Sequence, residues 1–101
     1  MSFGLKEFDL EYIVDTIKKF DEIDKAVIFG SRAKGTYKNG SDIDIAIYGG
    51  KITLDVLSTL HTELEEKSPM PYLFDIVDFT HLNHEELKKH IERVGKVIYK
   101  K

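Results

Sequence analysis

The chain contains no cysteine. That absence removes disulfides, thiolate metal sites and cysteine nucleophiles together, and it is compatible with a reducing compartment. No apolar run approaches the ~20 residues needed to cross a bilayer. The opening stretch MSFGLKEFDLEY also lacks the basic and apolar blocks of a signal peptide. A soluble, cytoplasmic protein without a membrane partner is the expectation. Neither sign of charge dominates: 15 basic residues stand against 18 acidic ones, giving a net charge of −3. A protein that coats nucleic acid carries a basic footprint, so any phosphate binding here has to be local. Repeats, linkers and low-complexity segments are missing as well. With 101 residues and 42% hydrophobic content, the chain has enough material for one domain with one modest core, spanning 1–101.

What is present is an alternation of periodicities. Leu10, Ile13, Val14, Ile17 and Phe20 recur at helical spacing over residues 9–20, with Asp9 placed as an N-cap. KAVIFG at 25–30 is a short continuous apolar run ending in glycine, the pattern of a buried strand. A second strand is predicted over DIDIAIY, 42–48, closed by Gly49-Gly50. Thr53 can cap a helix whose Leu54, Leu57, Leu60, His61 and Leu64 share one face, stopped by Ser68-Pro69. His61 on that stripe reads as a partly buried core residue. The third strand is PYLFDIVDF, 71–79. Asn83 and Glu86 form a capping box for a helix through about Arg93, and Gly95 releases the chain into KVIY, a last short strand. Alternating helices and strands predict a layered α/β domain.

The chemistry concentrates in GSRAKGTYKNGSDIDIAIY, residues 30–48. In a strand, Asp42, Asp44, Ala46 and Tyr48 point to one face while Ile43, Ile45 and Ile47 point to the other. The two carboxylates therefore face the same way, their Cα atoms ~6.6 Å apart, close enough to converge on one cation or straddle two. Such a pair can also merely solvate an edge. Immediately upstream, Gly30 permits close backbone approach and Ser31 opens a helical turn whose free N–H groups suit phosphate oxygens. Arg32, Lys34 and Lys38 add positive charge, although loop cations are often only solvated, and Asn39-Gly40 is a tight-turn signal. An anion cradle beside paired carboxylates is what a metal-bound nucleoside triphosphate requires. GSRAKGT has P-loop glycine spacing, but Thr36 and Tyr37 stand where that motif demands lysine and serine or threonine.

Further along, FDIVDF offers Asp75 and Asp78, three apart and so on opposite faces of a regular strand. Asp75 sits mid-strand between apolar residues, where an unpaired charge would be costly and a cation or hydrogen-bonding partner is expected. Asp78 lies nearer the strand end. His81 and His84 form an H-x-x-H, but no third ligand is suggested and zinc is not expected. Lys88, Lys89, Lys96, Lys100 and Lys101 read as a solvated face and tail.

Taken together, Ile28-Phe29-Gly30-Ser31, the ten residues that follow, and Asp42-Ile43-Asp44-Ile45 resemble the nucleotidyltransferase superfamily that includes DNA polymerase beta and kanamycin nucleotidyltransferase. Within it, Gly30, Ser31, Arg32, Ala33, Gly35, Ser41, Asp42 and Asp44 match the signature of the minimal nucleotidyltransferases, and the order of elements downstream matches as well. The resemblance implies a nucleotidyltransferase fold, a small mixed β-sheet packed with helices. It implies catalytic and metal-binding roles for Asp42, Asp44 and Asp75, the last matching the family's third acidic residue by its place in the run. Two Mg²⁺ ions are implied, with Gly30, Ser31, Arg32, Lys34 and Ser41 holding the nucleotide. The implied reaction is attack on the α-phosphorus of ATP or another triphosphate, with release of pyrophosphate.

Larger relatives carry an extra domain for the acceptor, whereas this chain is expected to end with its core, so the acceptor surface must come from elsewhere. Minimal members commonly pair with helical HEPN-type proteins in toxin–antitoxin modules, which makes a protein adenylyltransferase and antitoxin the leading expectation, working in a homo- or hetero-oligomer. A regulatory nucleotide-binding subunit and a small-molecule nucleotidyltransferase are the alternatives.

Overall fold

Four short strands carry the architecture of the computed structural model, which describes residues 3–38 and 40–101. They are β1 (Lys25–Phe29), β2 (Ile43–Tyr48), β3 (Phe74–Asp78) and β4 (Lys96–Lys100), in the spatial order β3-β2-β1-β4. The most apolar runs therefore occupy the centre. β1 pairs antiparallel with both β2 and β4, whereas β2 and β3 run parallel. A parallel pair needs a crossover, and the helix between those two strands supplies it.

The helices are α1 (Glu7–Lys18), α2 (Gly30–Lys34), α3 (Leu54–Glu65) and α4 (Glu85–Val94). α1 and α3 cover one face of the sheet. There Ile13 and Ile17 of α1 and Val56, Leu60 and Leu64 of α3 pack on Ile28, Ile43, Ile45 and Ile47 in the main core. The other face carries a smaller cluster of Val27, Phe29, Ala46 and Ile91, edged by Val77, Phe79 and Leu87. The mixed α/β class predicted from the sequence is the observed one, and no helix among the described residues is long and apolar enough to cross a membrane.

Several local expectations need correction. α1 begins at Glu7, not Asp9, and Lys6 at its cap position is extended without a side-chain cap bond. Phe3 and Leu5 are buried in the core, which anchors the chain ahead of the helix, and Glu7 and Asp9 instead favour its positive end. At α4 the cap is His84 rather than Asn83, with its Nδ1 accepting from the Leu87 amide at 3.1 Å. An imidazole nitrogen fills the acceptor role that an amide or hydroxyl oxygen usually takes.

Thr53 does cap α3, accepting from the Val56 amide. The buried stripe of that helix is Val56, Leu60 and Leu64, while Leu54 is 83% exposed and His61 is exposed, its Nε2 2.9 Å from Glu65 Oε2. The stripe is rotated by part of a turn because Val56, not Leu54, reaches the sheet. β2 begins at Ile43, one residue after Asp42, and the Asn39 half of the Asn39-Gly40 turn signal lies outside the described residues.

Candidate active site

Strand register decides which acids meet. Asp44 is the partner of Asp75 across the parallel β2/β3 pair and of Phe29 across the antiparallel β1/β2 pair. Directly paired residues project to one face, so Asp44 and Asp75 stand side by side on neighbouring strands, about 4.8 Å apart at the backbone. Asp42 is exposed in the turn that leads into β2, two residues before Asp44.

Asp78 is excluded from this group because it pairs with Ile47 and so faces the other way. Its carboxylate accepts from the His81 amide at 3.2 Å and lies 2.7 Å from His81 Nδ1. With His84 capping α4, the two histidines of the H-x-x-H serve separate local purposes. The expectation that Asp75 lies mid-strand, where an unpaired charge would be costly, does not hold: it is exposed near the start of the strand. β3 is an edge strand that starts at Phe74, so Asp75 is its second residue and solvent reaches it.

The turn after β1 closes on the same spot. Gly30 has φ +73°, a conformation that favours glycine, and a Cβ at this position would strike the Asp44 carboxylate. Gly30-Ser31 therefore passes directly against Asp44. From there the chain turns into α2, whose opening amides, like those of any first helical turn, lie outside the intrahelical ladder. Gly35 ends α2 in the left-handed conformation, its amide donating to the Ser31 carbonyl. Lys34 and Lys38 are exposed nearby in sequence.

Arg32 departs from the picture of a loop cation waiting for phosphate. It is 4% exposed. Its Nε and Nη2 both donate to the Ser41 carbonyl, at 3.2 and 2.8 Å, and Nη1 donates to the Phe3 carbonyl at 3.0 Å. The guanidinium lies over the rings of Tyr37 and Tyr72, 5.3 and 5.2 Å from their centres. The Ser41 hydroxyl accepts from the Lys38 amide at 2.8 Å, closing the turn ahead of Asp42. Sequence reasoning missed Phe3, Tyr37 and Tyr72 as members of this assembly. No local spacing links residues 3, 32, 41 and 72, so nothing in the pattern could have found them.

Electrostatics binds the acids together. Burial, then the nearby charges of Asp75 and Asp42, push the Asp44 carboxyl up from 3.8 to about 6, with Arg32 acting in the opposite direction. Among the described residues, none of Asp42, Asp44 and Asp75 makes an ion pair or a side-chain hydrogen bond. Three hard oxygen donors that crowd one another and form no direct ion pair suit Mg²⁺ or Mn²⁺. They do not form a closed cage: no group of three His, Asp or Glu side chains among the described residues is gathered tightly enough to hold an ion alone. Mg²⁺ fits such an open donor set, since it keeps several waters and shares its shell with substrate phosphates.

Comparison with known proteins shows the family and the fold. The family described as "Polymerase beta, Nucleotidyltransferase" matches residues 11–101. Among curated protein sequences there is no match. Several solved structures share the fold, three of them as follows. A chain of a toxin–antitoxin complex with AMP-PNP is 21% identical, with a TM-score of 0.77 over 91% of this chain and 73% of that one. A chain from the complex of tri-AMPylated Shewanella oneidensis HEPN toxin with MNT antitoxin is 18% identical, with a TM-score of 0.73 over 94% and 72%. A chain of the MntA-HepT toxin–antitoxin pair is 17% identical, with a TM-score of 0.73 over 95% and 74%.

Proposed function

This chain belongs to the polymerase beta nucleotidyltransferase family, and from that premise we propose that it transfers AMP from ATP to a hydroxyl group of a protein partner. The observation that carries the reading is the pairing of Asp44 with Asp75 against the Gly30-Ser31 turn. Such a site brings carboxylates and a phosphate cradle to one end of one sheet. Asp42, Asp44 and Asp75 would hold Mg²⁺, which would neutralise phosphate charge and acidify the attacking hydroxyl.

The protein's own groups have distinct tasks. The amides at Gly30 and Ser31 hold the outer phosphates, and the absence of a side chain at Gly30 lets the triphosphate approach the carboxylates. Lys34 and Lys38 supply positive charge. Ser41 shapes the turn that presents Asp42. The acceptor oxygen bonds to the α-phosphorus, the bond to pyrophosphate breaks, and the hydroxyl proton passes to Asp75, the most accessible acid on the β3 side.

A helical HEPN-type protein is the proposed partner, which makes this chain the antitoxin of such a pair. Support comes from the shared fold with chains of toxin–antitoxin complexes, one solved with AMP-PNP and one with an AMPylated toxin. Mixing the chain with a HEPN-type protein and Mg²⁺-ATP should add one or more AMP units to the partner, seen as discrete steps in intact mass. Complex formation and ATP binding without any mass step would replace this reading with a regulatory subunit. Modification of a small hydroxylated metabolite instead of the protein would make the chain a small-molecule nucleotidyltransferase.

A further inference from the structure

A buried guanidinium needs a reason. Arg32 is almost fully enclosed and, among the described residues, forms no ion pair. Burying a charge without a direct ion pair costs several kcal/mol, only partly offset by the more distant Asp44 carboxylate, by hydrogen bonds to neutral carbonyls and by the faces of Tyr37 and Tyr72. A methionine between the same rings would pack with no such cost. Stability alone does not account for arginine here.

The hydrogen bonds show what the guanidinium holds. Two of its three donations go to one atom, the Ser41 carbonyl oxygen. That carbonyl belongs to the peptide unit that carries the Asp42 nitrogen. Because the unit is planar, fixing its oxygen fixes the plane from which Asp42 leaves. The third donation goes to the Phe3 carbonyl, and Phe3 is buried in the main core. Arg32 thus spans from the core to the last peptide before the acid. Asp42 has few other constraints, since it precedes the first residue of β2 and its side chain is exposed. The 38–41 turn closes on itself through the Lys38 and Ser41 amides, but those bonds do not tie it to the sheet.

We propose that Arg32 is a positioning residue: by clamping the Ser41 carbonyl to the core, it holds Asp42 in line with Asp44 and Asp75 as one cation-binding set. The proposal rests on the reading that these acids bind a divalent ion. The clamp uses the fork geometry of the guanidinium, which lysine lacks, so Arg32→Lys keeps the charge but loses the device. Arg32 also offsets part of the repulsion on Asp44, an effect that lysine would retain.

The test combines Mn²⁺ binding, followed by the free-ion electron paramagnetic resonance signal, with amide hydrogen exchange in the metal-free chain. Arg32→Lys and Arg32→Met should each weaken Mn²⁺ binding about tenfold, in the range seen when residues orienting metal ligands are removed. Adding Asp42→Asn to either variant should cost little more, because the two changes remove the same contribution. Without metal, exchange should quicken at the Ile43 amide, which donates to the Leu73 carbonyl at 3.0 Å, and remain slow at Ile45 and Ile47. Unchanged Mn²⁺ affinity in both variants, or multiplicative losses with Asp42→Asn, would overturn the clamp. Failure of both variants to fold would also overturn it, by making Arg32 a stability element first. If the unaltered chain binds no Mn²⁺, the metal reading fails instead, and local quickening at Ile43 still decides whether Arg32 anchors the turn.

Discussion

Along β2 two kinds of side chain alternate under different constraints. Ile43, Ile45 and Ile47 are fully shut away beneath α1 and α3, in the larger of the two cores. On the opposite face Asp44 is half-buried beside Asp75, with Asp42 just ahead of the strand; none of the three is held in an ion pair among the described residues, and Arg32 offsets only part of the repulsion on Asp44. One face lowers the free energy of the fold. The other raises it slightly, which is tolerable when the same charges are needed to bind a ligand. Stability and chemistry are thus separated by a single peptide unit, and substitutions one residue apart should have opposite consequences.

The sharpest break in that contrast comes from the charged face. Asp42→Asn combined with Asp44→Asn should reduce nucleotidyl transfer about a thousandfold or more. The melting temperature should stay level or rise, because two mutually repelling charges are gone. Parallel loss of stability and activity would instead make the pair structural. The apolar face should behave the other way. Ile45→Ala, next to Asp44 in sequence, should cost about 2–5 kcal/mol in denaturant unfolding. That is a large share of the ~5–15 kcal/mol available to a domain. Activity per folded molecule should be retained, and an intact melting curve for Ile45→Ala would contradict the assignment of the core.

A smaller effect sharpens the same comparison through pH. Asp44 binds its proton more tightly in the folded chain than in the unfolded one, its carboxyl having been raised from 3.8 to about 6. Its favourable contribution is therefore complete below about pH 4 and is lost as pH rises through 6. In metal-free solution, Asp44→Asn should match the unaltered chain at pH 4 and exceed it by about 1 kcal/mol at pH 7, after allowing for solvent screening of a half-buried group. A stability difference that does not change with pH would show that burial and the neighbouring acids do not raise the Asp44 carboxyl as described.

Much of this was legible in the residues. Alternation placed Ile43, Ile45 and Ile47 opposite Asp42 and Asp44 because a strand leaves no other choice. The apolar run ending at Gly30 located β1 and the turn beyond it, and the resemblance of GSRAKG and SDID to a known signature pointed to the family that the comparison supports. Register was not legible. Only the parallel β2/β3 pairing shows that Asp75 stands beside Asp44 while Asp78 turns toward His81. Helix ends slipped by one or two residues because competing caps differ little in energy. Lys6 occupies the cap position of α1 without any side-chain bond, and His84 serves α4 where Asn83 was expected. Arg32 was hidden for a different reason: its acceptors, on residues 3 and 41, come together only through tertiary folding.

The central claim is that Asp42, Asp44 and Asp75 form a cation-dependent site for a nucleoside triphosphate. Calorimetric titration of the unaltered chain with ATP, in Mg²⁺ and then in excess EDTA, addresses it most directly. The account predicts measurable binding with Mg²⁺ and binding at least about tenfold weaker without it, because three carboxylates that form no ion pair repel the phosphates when no metal lies between them. Equal affinity under the two conditions would contradict it.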